Sequence, residues 1–114
     1  MTRRILVLLA FALAACSGGD DGGGPTGEAL ANDLGCLACH TAGATDLAPS
    51  WNGLFGSTVK LENGSSVTAD RDYLQRSIED PQADIVEGYG RSMPTIPMTD
   101  AERSALVDYI ESLG

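Results

Sequence analysis

Apolar residues along this chain fall into short, separated sets. Leu30 and Leu34 stand at i and i+4 and predict one amphipathic helix running into Gly35-Cys36. Residues 49–56, with Trp51, Leu54 and Phe55 between Pro49 and Gly56, read as a turn and a short helix. Lys60-Leu61 and Ser66-Val67 flank Glu62-Asn63-Gly64-Ser65, a loop with a hairpin-type signal at Asn63-Gly64. Asp70 can cap a helix in which Leu74 and Ile78 share a face, and Pro81 marks its end. The last helix has the clearest start: Thr99-Asp100-Ala101-Glu102 is a capping box with Thr99 at N-cap and Glu102 at N3. Leu106, Ile110 and Leu113 follow at i, i+4 and i+7. With no internal repeat and no βαβ alternation, the pattern predicts an all-α domain of short helices, with room for a short hairpin near 60–67.

The N-terminal apolar run is of another kind. Arg3 and Arg4 precede an apolar stretch over 5–14, too short to span a bilayer unaided, and Leu13-Ala14-Ala15 gives a small-residue approach to Cys16. Leu-Ala-Ala-Cys resembles a bacterial lipobox, at which a signal is cut and the cysteine lipidated. An ordinary secretory signal cut nearby is the alternative, but it needs no cysteine. Residues 17–26 read SGGDDGGGPT, with nothing apolar to bury, and are expected to form a flexible tether. Ten such residues span about 17 Å r.m.s.. The expected organisation is a signal peptide at 1–15, a lipidated tether at 16–25 and one domain at 26–114.

Composition limits what that domain can be. The chain has 114 residues and a net charge of −9. Removing residues 1–15 leaves five basic against sixteen acidic residues, a net −11. So acidic a chain argues against nucleic acid and against adhesion to anionic lipid, and favours a partner with a basic face; solubility is the plainer reason for the acidity. Only six residues are aromatic, one of them in the signal, so the apolar core is thin and the domain needs an added staple.

Cys36-Leu37-Ala38-Cys39-His40 supplies one. CxxCH is the pattern of c-type haem attachment: two thiols add to the vinyl groups of haem, and the adjacent histidine ligates the iron. Structural zinc needs four ligands, yet His40 is the only histidine and Cys16 the only other cysteine. A thioredoxin-like dithiol is expected after a strand in a βαβ unit, which is missing here. Assigning Cys16 to lipid and Cys36 and Cys39 to haem leaves no disulfide to make. One covalently bound haem c is therefore the expected cofactor, and without it the domain should fold poorly.

Together with this motif, Ala48-Pro49-Ser50-Trp51-Asn52-Gly53-Leu54-Phe55-Gly56 and the stretch over 57–93 make the sequence resemble a class I c-type cytochrome. More narrowly, it resembles the C-terminal cytochrome c domain of subunit II of some haem–copper cytochrome c oxidases. That likeness rests on Gly56-Ser57-Thr58-Val59, Val67-Thr68-Ala69-Asp70, Tyr73-Leu74, Ser77-Ile78, Pro81, Ile85-Val86-Glu87-Gly88-Tyr89 and Met93-Pro94, and covers nearly all of 26–114. It implies a small cytochrome c fold wrapped around one haem, with His40 as proximal ligand and the Pro49 carbonyl orienting its ring. It also implies Met93 as distal ligand, in a crevice lined by Leu54, Phe55, Tyr73, Leu74, Ile78 and Tyr89. Two departures stand out. Ala31 replaces a larger residue on the first helix, which predicts looser packing on the last helix through Tyr109. No copper-binding domain or transmembrane pair precedes the module, which is thus expected alone on a lipid tether.

Met98 is the rival distal ligand; thioether chemistry does not separate the two, and context with the family pattern favours Met93. Trp51 and the tyrosines are ordinary core residues that here become pocket residues; hydrogen bonds from Trp51, Tyr73 or Arg91 to the haem propionates are the less favoured role. Histidine–methionine ligation closes both axial positions and raises the potential relative to bis-histidine, which suits one-electron transfer and gives an electron carrier without catalytic residues. The alternatives are a peroxidase or gas-binding haem, for which no second histidine serves as acid–base group, and a zinc-binding lipoprotein. The expected partners are redox proteins such as a terminal oxidase or a quinol-oxidising complex. The protein is expected to be an exported monomer, anchored by lipid only and facing the periplasm or cell exterior. Asp70, Asp72, Asp84 and Glu87 are candidates to steer a basic partner; with Glu79 and Asp80 they are equally a solvated face.

Overall fold

The computed structural model describes residues 25–40, 47–90 and 93–114. The signal, Cys16, most of the tether and Arg91 lie outside the described residues. Three helices and one two-stranded sheet make up the described part: α1 (Gly27–Asp33), β1 (Thr58–Lys60), β2 (Ser66–Thr68), α2 (Arg71–Glu79) and α3 (Asp100–Ser112). The fold is thus mostly helical rather than all-α. No described helix is long and apolar enough to cross a membrane.

Each helix starts where a side chain satisfies the orphan amides of its first turn. Thr26 Oγ1 accepts from Ala29 N–H at 3.2 Å, and Asp70 Oδ1 accepts from Tyr73 N–H at 2.9 Å. At α3 the capping box closes in both directions: Thr99 N–H donates to Glu102 Oε2 at 2.7 Å, and Glu102 N–H donates to Thr99 Oγ1 at 3.2 Å. The helix through Leu30 and Leu34 ends sooner than its apolar pair suggests. Leu34 caps α1, and Gly35, at φ 79°, turns the chain away.

Residues 49–56 form turns, not the expected short helix. Gly53 and Gly56 have φ 72° and 79°, and left-handed backbone at two positions three apart cannot continue a right-handed helix. The turns are held from both sides: Gly53 N–H reaches the carbonyl of Leu113, the C-cap of α3, and Gly56 N–H donates to Ala69 O at 2.8 Å.

The hairpin pairs Thr58 with Thr68, Val59 with Val67 and Lys60 with Ser66 in antiparallel register. Five residues, 61–65, join the strands, with Leu61 N–H donating to Ser65 O at 2.8 Å across the turn. Gly64 takes φ 86° and donates to Leu61 O at 3.0 Å, while Asn63 Oδ1 accepts from Ser65 N–H at 2.9 Å. The segment after α2 pairs with the hairpin in turn: Glu62 N–H donates to Ile85 O at 2.8 Å and Glu87 N–H to Lys60 O at 2.9 Å.

The core joins Leu30 and Ala31 of α1, Tyr73 and Leu74 of α2 and Leu106, Val107 and Ile110 of α3, with Trp51, Val59 and Leu61 closing it. Ala31 is fully buried, so the looser packing expected there is not found. Its small side chain, with Gly27 one turn earlier, lets α1 approach α3 closely. A Cβ placed on Gly27 would lie 2.6 Å from Tyr109 Cβ and press on the Ala105 carbonyl. Arg71 ties α2 to α3 through Asp108 at 2.7 Å and Glu111 at 3.1 Å.

Candidate haem-binding site

After Gly35 the chain makes one 3-10 turn, Cys36–Ala38. The Cys36 carbonyl accepts from both Cys39 N–H at 3.2 Å and His40 N–H at 2.8 Å. At three residues per turn, positions i and i+3 eclipse, so Cys36 and Cys39 fall on the same side of the turn. Both are half-buried, and burial raises the Cys36 thiol above its ordinary value. Next in sequence, the turn hands His40 to the neighbouring cleft.

Two groups hold the imidazole. His40 Nδ1–H donates to the Pro49 carbonyl at 2.9 Å, the contact expected from the family pattern. A carbonyl only accepts, so the bond puts the proton on Nδ1 and leaves the Nε2 lone pair free to bind a metal. Burial lowers the His40 pKa, with the Pro49 carbonyl opposing part of the shift, so the ring is neutral at neutral pH. The Trp51 indole lies nearly parallel to the imidazole, with ring centroids 5.0 Å apart and 17° between planes.

His40 and Met93 line one cleft with an empty volume of about 700 Å³, together with Pro49, Leu54, Tyr73, Leu74, Ile78 and Tyr89. Every pocket residue read from the sequence is there except Phe55, which is 40% exposed and does not line it. Residues 53–56 explain the difference: with no helix there, Leu54 turns to the cleft and Phe55 faces outward. Met98 does not line this cleft. It packs against the core and lines a smaller cleft with Cys36, Ile78 and Met93, under Leu106 and Ile110 of α3.

Sequence reasoning missed Leu47, Ala48, Ser77, Pro81, Asp84, Ile85, Val86 and Ile110 in the main cleft. Ile85 and Val86 are placed by pairing to the hairpin, which no local pattern signals. Ser77, one residue before Ile78 on α2, could have been found from helical spacing. Its Oγ is buried and, among the described residues, has no partner in full hydrogen-bond geometry. Burial raises the phenol of Tyr73, one turn before it, partly offset by the nearby Ser77 hydroxyl. Asp84 is paired with Arg76 at 2.6 Å, and Glu87 with Lys60 at 3.0 Å, so two of the four carboxylates suggested for steering already have a cation beside them.

The residues fit a flat, largely apolar group held at one edge by two thiols. The walls of the main cleft are mainly aliphatic and aromatic, as suits a largely apolar group. A second cleft of about 520 Å³ shares His40, Leu47, Ala48 and Met93 with it and reaches both Cys36 and Cys39. The model of the cytochrome c family matches residues 25–114, and the chain belongs to that family, as a class I c-type cytochrome. Its cofactor is covalently attached haem c, and it is a haem electron carrier. Among curated proteins none matches the chain.

Proposed function

We propose that this protein is a lipid-anchored monohaem cytochrome that passes single electrons between respiratory redox partners. In this reading Cys36 and Cys39 would form the thioethers, His40 Nε2 and the Met93 sulfur would ligate the iron, and Leu54, Tyr73, Leu74, Ile78 and Tyr89 would wall the crevice. The observation that supports it most is the His40–Pro49 hydrogen bond at 2.9 Å on the edge of a cleft that Met93 also lines. When bound, the haem supplies an iron that changes oxidation state by one electron. The chain's part is to orient the imidazole, close the second axial position and exclude water with apolar walls, keeping reorganisation small.

Absorption spectra of the reduced and oxidised holoprotein test the ligand set. The wild type and Met98→Ala are expected to be low-spin, whereas Met93→Ala becomes high-spin and loses the thioether charge-transfer band. The reverse result for the two methionines would overturn the assignment.

The setting is read from the sequence. The lipobox-like Leu13-Ala14-Ala15-Cys16 supports a lipid anchor at Cys16, and the glycine-rich tether keeps the domain near a membrane that faces the periplasm or cell exterior. Likeness to the cytochrome c domain of oxidase subunit II supports a terminal oxidase or a quinol-oxidising complex as partner. Cys16→Ser is expected to release the protein from the membrane fraction or stall its processing. Normal cleavage with full membrane retention would remove the lipid from the account.

A further inference from the structure

The ring of His40 has a contact that its role as a ligand does not require. Trp51 covers one face of it, at 5.0 Å between centroids and 17° between planes. The indole is itself held edge-on by Tyr109 of α3, at 6.2 Å and 83°. Trp51 is 7% exposed and has little freedom to tilt. Tyr109 in turn is fixed at the crossing of α1 and α3, where its Cβ faces Gly27. A packed line of rings therefore runs from the imidazole to the close crossing of α1 and α3.

The Pro49 hydrogen bond alone does not fix the ring. One Nδ1–H···O contact sets the direction of the N–H vector but, within the angular tolerance of a hydrogen bond, still lets the imidazole plane tilt about its Cβ–Cγ bond. A flat neighbour packed on the face removes that freedom, because turning the ring would drive its edge into the indole. The two contacts are complementary: the carbonyl sets the axis and the indole sets the plane.

We infer that Trp51 is a positioning residue that fixes the plane of the axial His40 imidazole through a stacked contact, with Tyr109 as its buttress. This rests on His40 being the axial ligand. The imidazole plane governs how its π orbitals overlap those of the iron, and so the magnetic axes of the ferric state. The geometry also sets a sign for the potential. An electron-rich indole face stabilises positive character on the imidazole, which is greater when the iron is ferric, so Trp51 should lower the reduction potential.

The test uses ferric holoprotein read by electron paramagnetic resonance, hyperfine-shifted proton NMR and potentiometry. Trp51→Leu is expected to broaden or shift the g values, rearrange the haem methyl shifts and raise the midpoint potential while the spectrum stays low-spin. Trp51→Phe, which keeps a smaller ring, should move each readout in the same direction by less. Tyr109→Leu, which leaves the indole in place but unbuttressed, should also give a smaller change. Val107→Ala is the control: Val107 is fully buried on α3 and lines none of the clefts described above, so it should lower the melting temperature without moving the magnetic readouts. If Trp51→Leu and Trp51→Phe lower the melting temperature but leave g values, methyl pattern and potential as in the wild type, Trp51 only fills the core and the inference fails. Absence of hyperfine-shifted His40 ring signals from the wild type would instead overturn the ligand assignment, and this inference with it.

Discussion

At the scale of single residues, the site is governed by which polar atoms lose water. His40, Tyr73 and Ser77 sit in or beside an apolar cleft, and each deals with burial differently. His40 gives its one proton to a carbonyl and stays neutral; Ser77 keeps a buried hydroxyl with no partner in full hydrogen-bond geometry among the described residues. Tyr73 is 5% exposed, and burial raises its phenol above the ordinary value of 10.0. The folded protein thus holds this proton to higher pH than the unfolded chain does. Stability from the neutral phenol is fully present below about pH 10 and is lost as pH rises through the folded-state value. Melting temperatures of wild type and Tyr73→Phe, followed from about pH 9 to about pH 11, should run parallel at first and then converge or cross as the wild type falls faster. A constant difference across that range would mean that the phenol titrates alike in both states.

Among the elements, what was legible in the sequence is what forms locally. The CxxCH turn, the Asp70 cap and the Thr99–Glu102 box each depend on residues within four positions, and each appears where its residues stand. Residues 49–56 misled because apolar spacing suggested a helix while Gly53 and Gly56 take left-handed backbone, a choice set by anchoring to Leu113 and Ala69 far along the chain. The placement of Ile85 and Val86 by the hairpin was hidden for the same reason. Ala31 was misjudged because a small residue signals a gap only if the facing helix keeps its distance. Here Gly27 and Ala31 bring α1 onto α3, and closeness replaces side-chain bulk. Gly27→Ala should therefore destabilise the holoprotein by about 1–3 kcal/mol, the usual cost of overpacking, despite alanine's better helix propensity. Thermal denaturation checks it; an unchanged or raised melting temperature would show that α1 can shift outward freely.

For the whole molecule, a thin core and a large negative charge pull on the same fold in opposite ways. The buried residues are split between three helices and a hairpin, and four of them, Trp51, Tyr73, Leu74 and Ile110, also line the haem cleft, so cofactor and core stabilise one surface together. The charge instead acts at a distance. Without residues 1–15 the net value is −11, and the structure reassigns which carboxylates express it. Asp70 caps α2, Asp84 pairs with Arg76 and Glu87 with Lys60, whereas Asp72, Glu79 and Asp80 are exposed on α2 or at its end. Steering by such a field changes association rates by roughly 10–10³, and salt screens it with a Debye length of about 8 Å at physiological ionic strength. Electron transfer to a basic partner should accordingly slow as salt rises. Charge reversal at Asp72 or Glu79 should flatten that dependence more than neutralising Asp84, whose charge is already met by Arg76. Stopped-flow rates across an ionic-strength series measure both effects. Rates indifferent to salt would leave the acidity as a solubility feature and shift docking to the apolar rim, where Leu47 is 59% exposed at the mouth of the cleft.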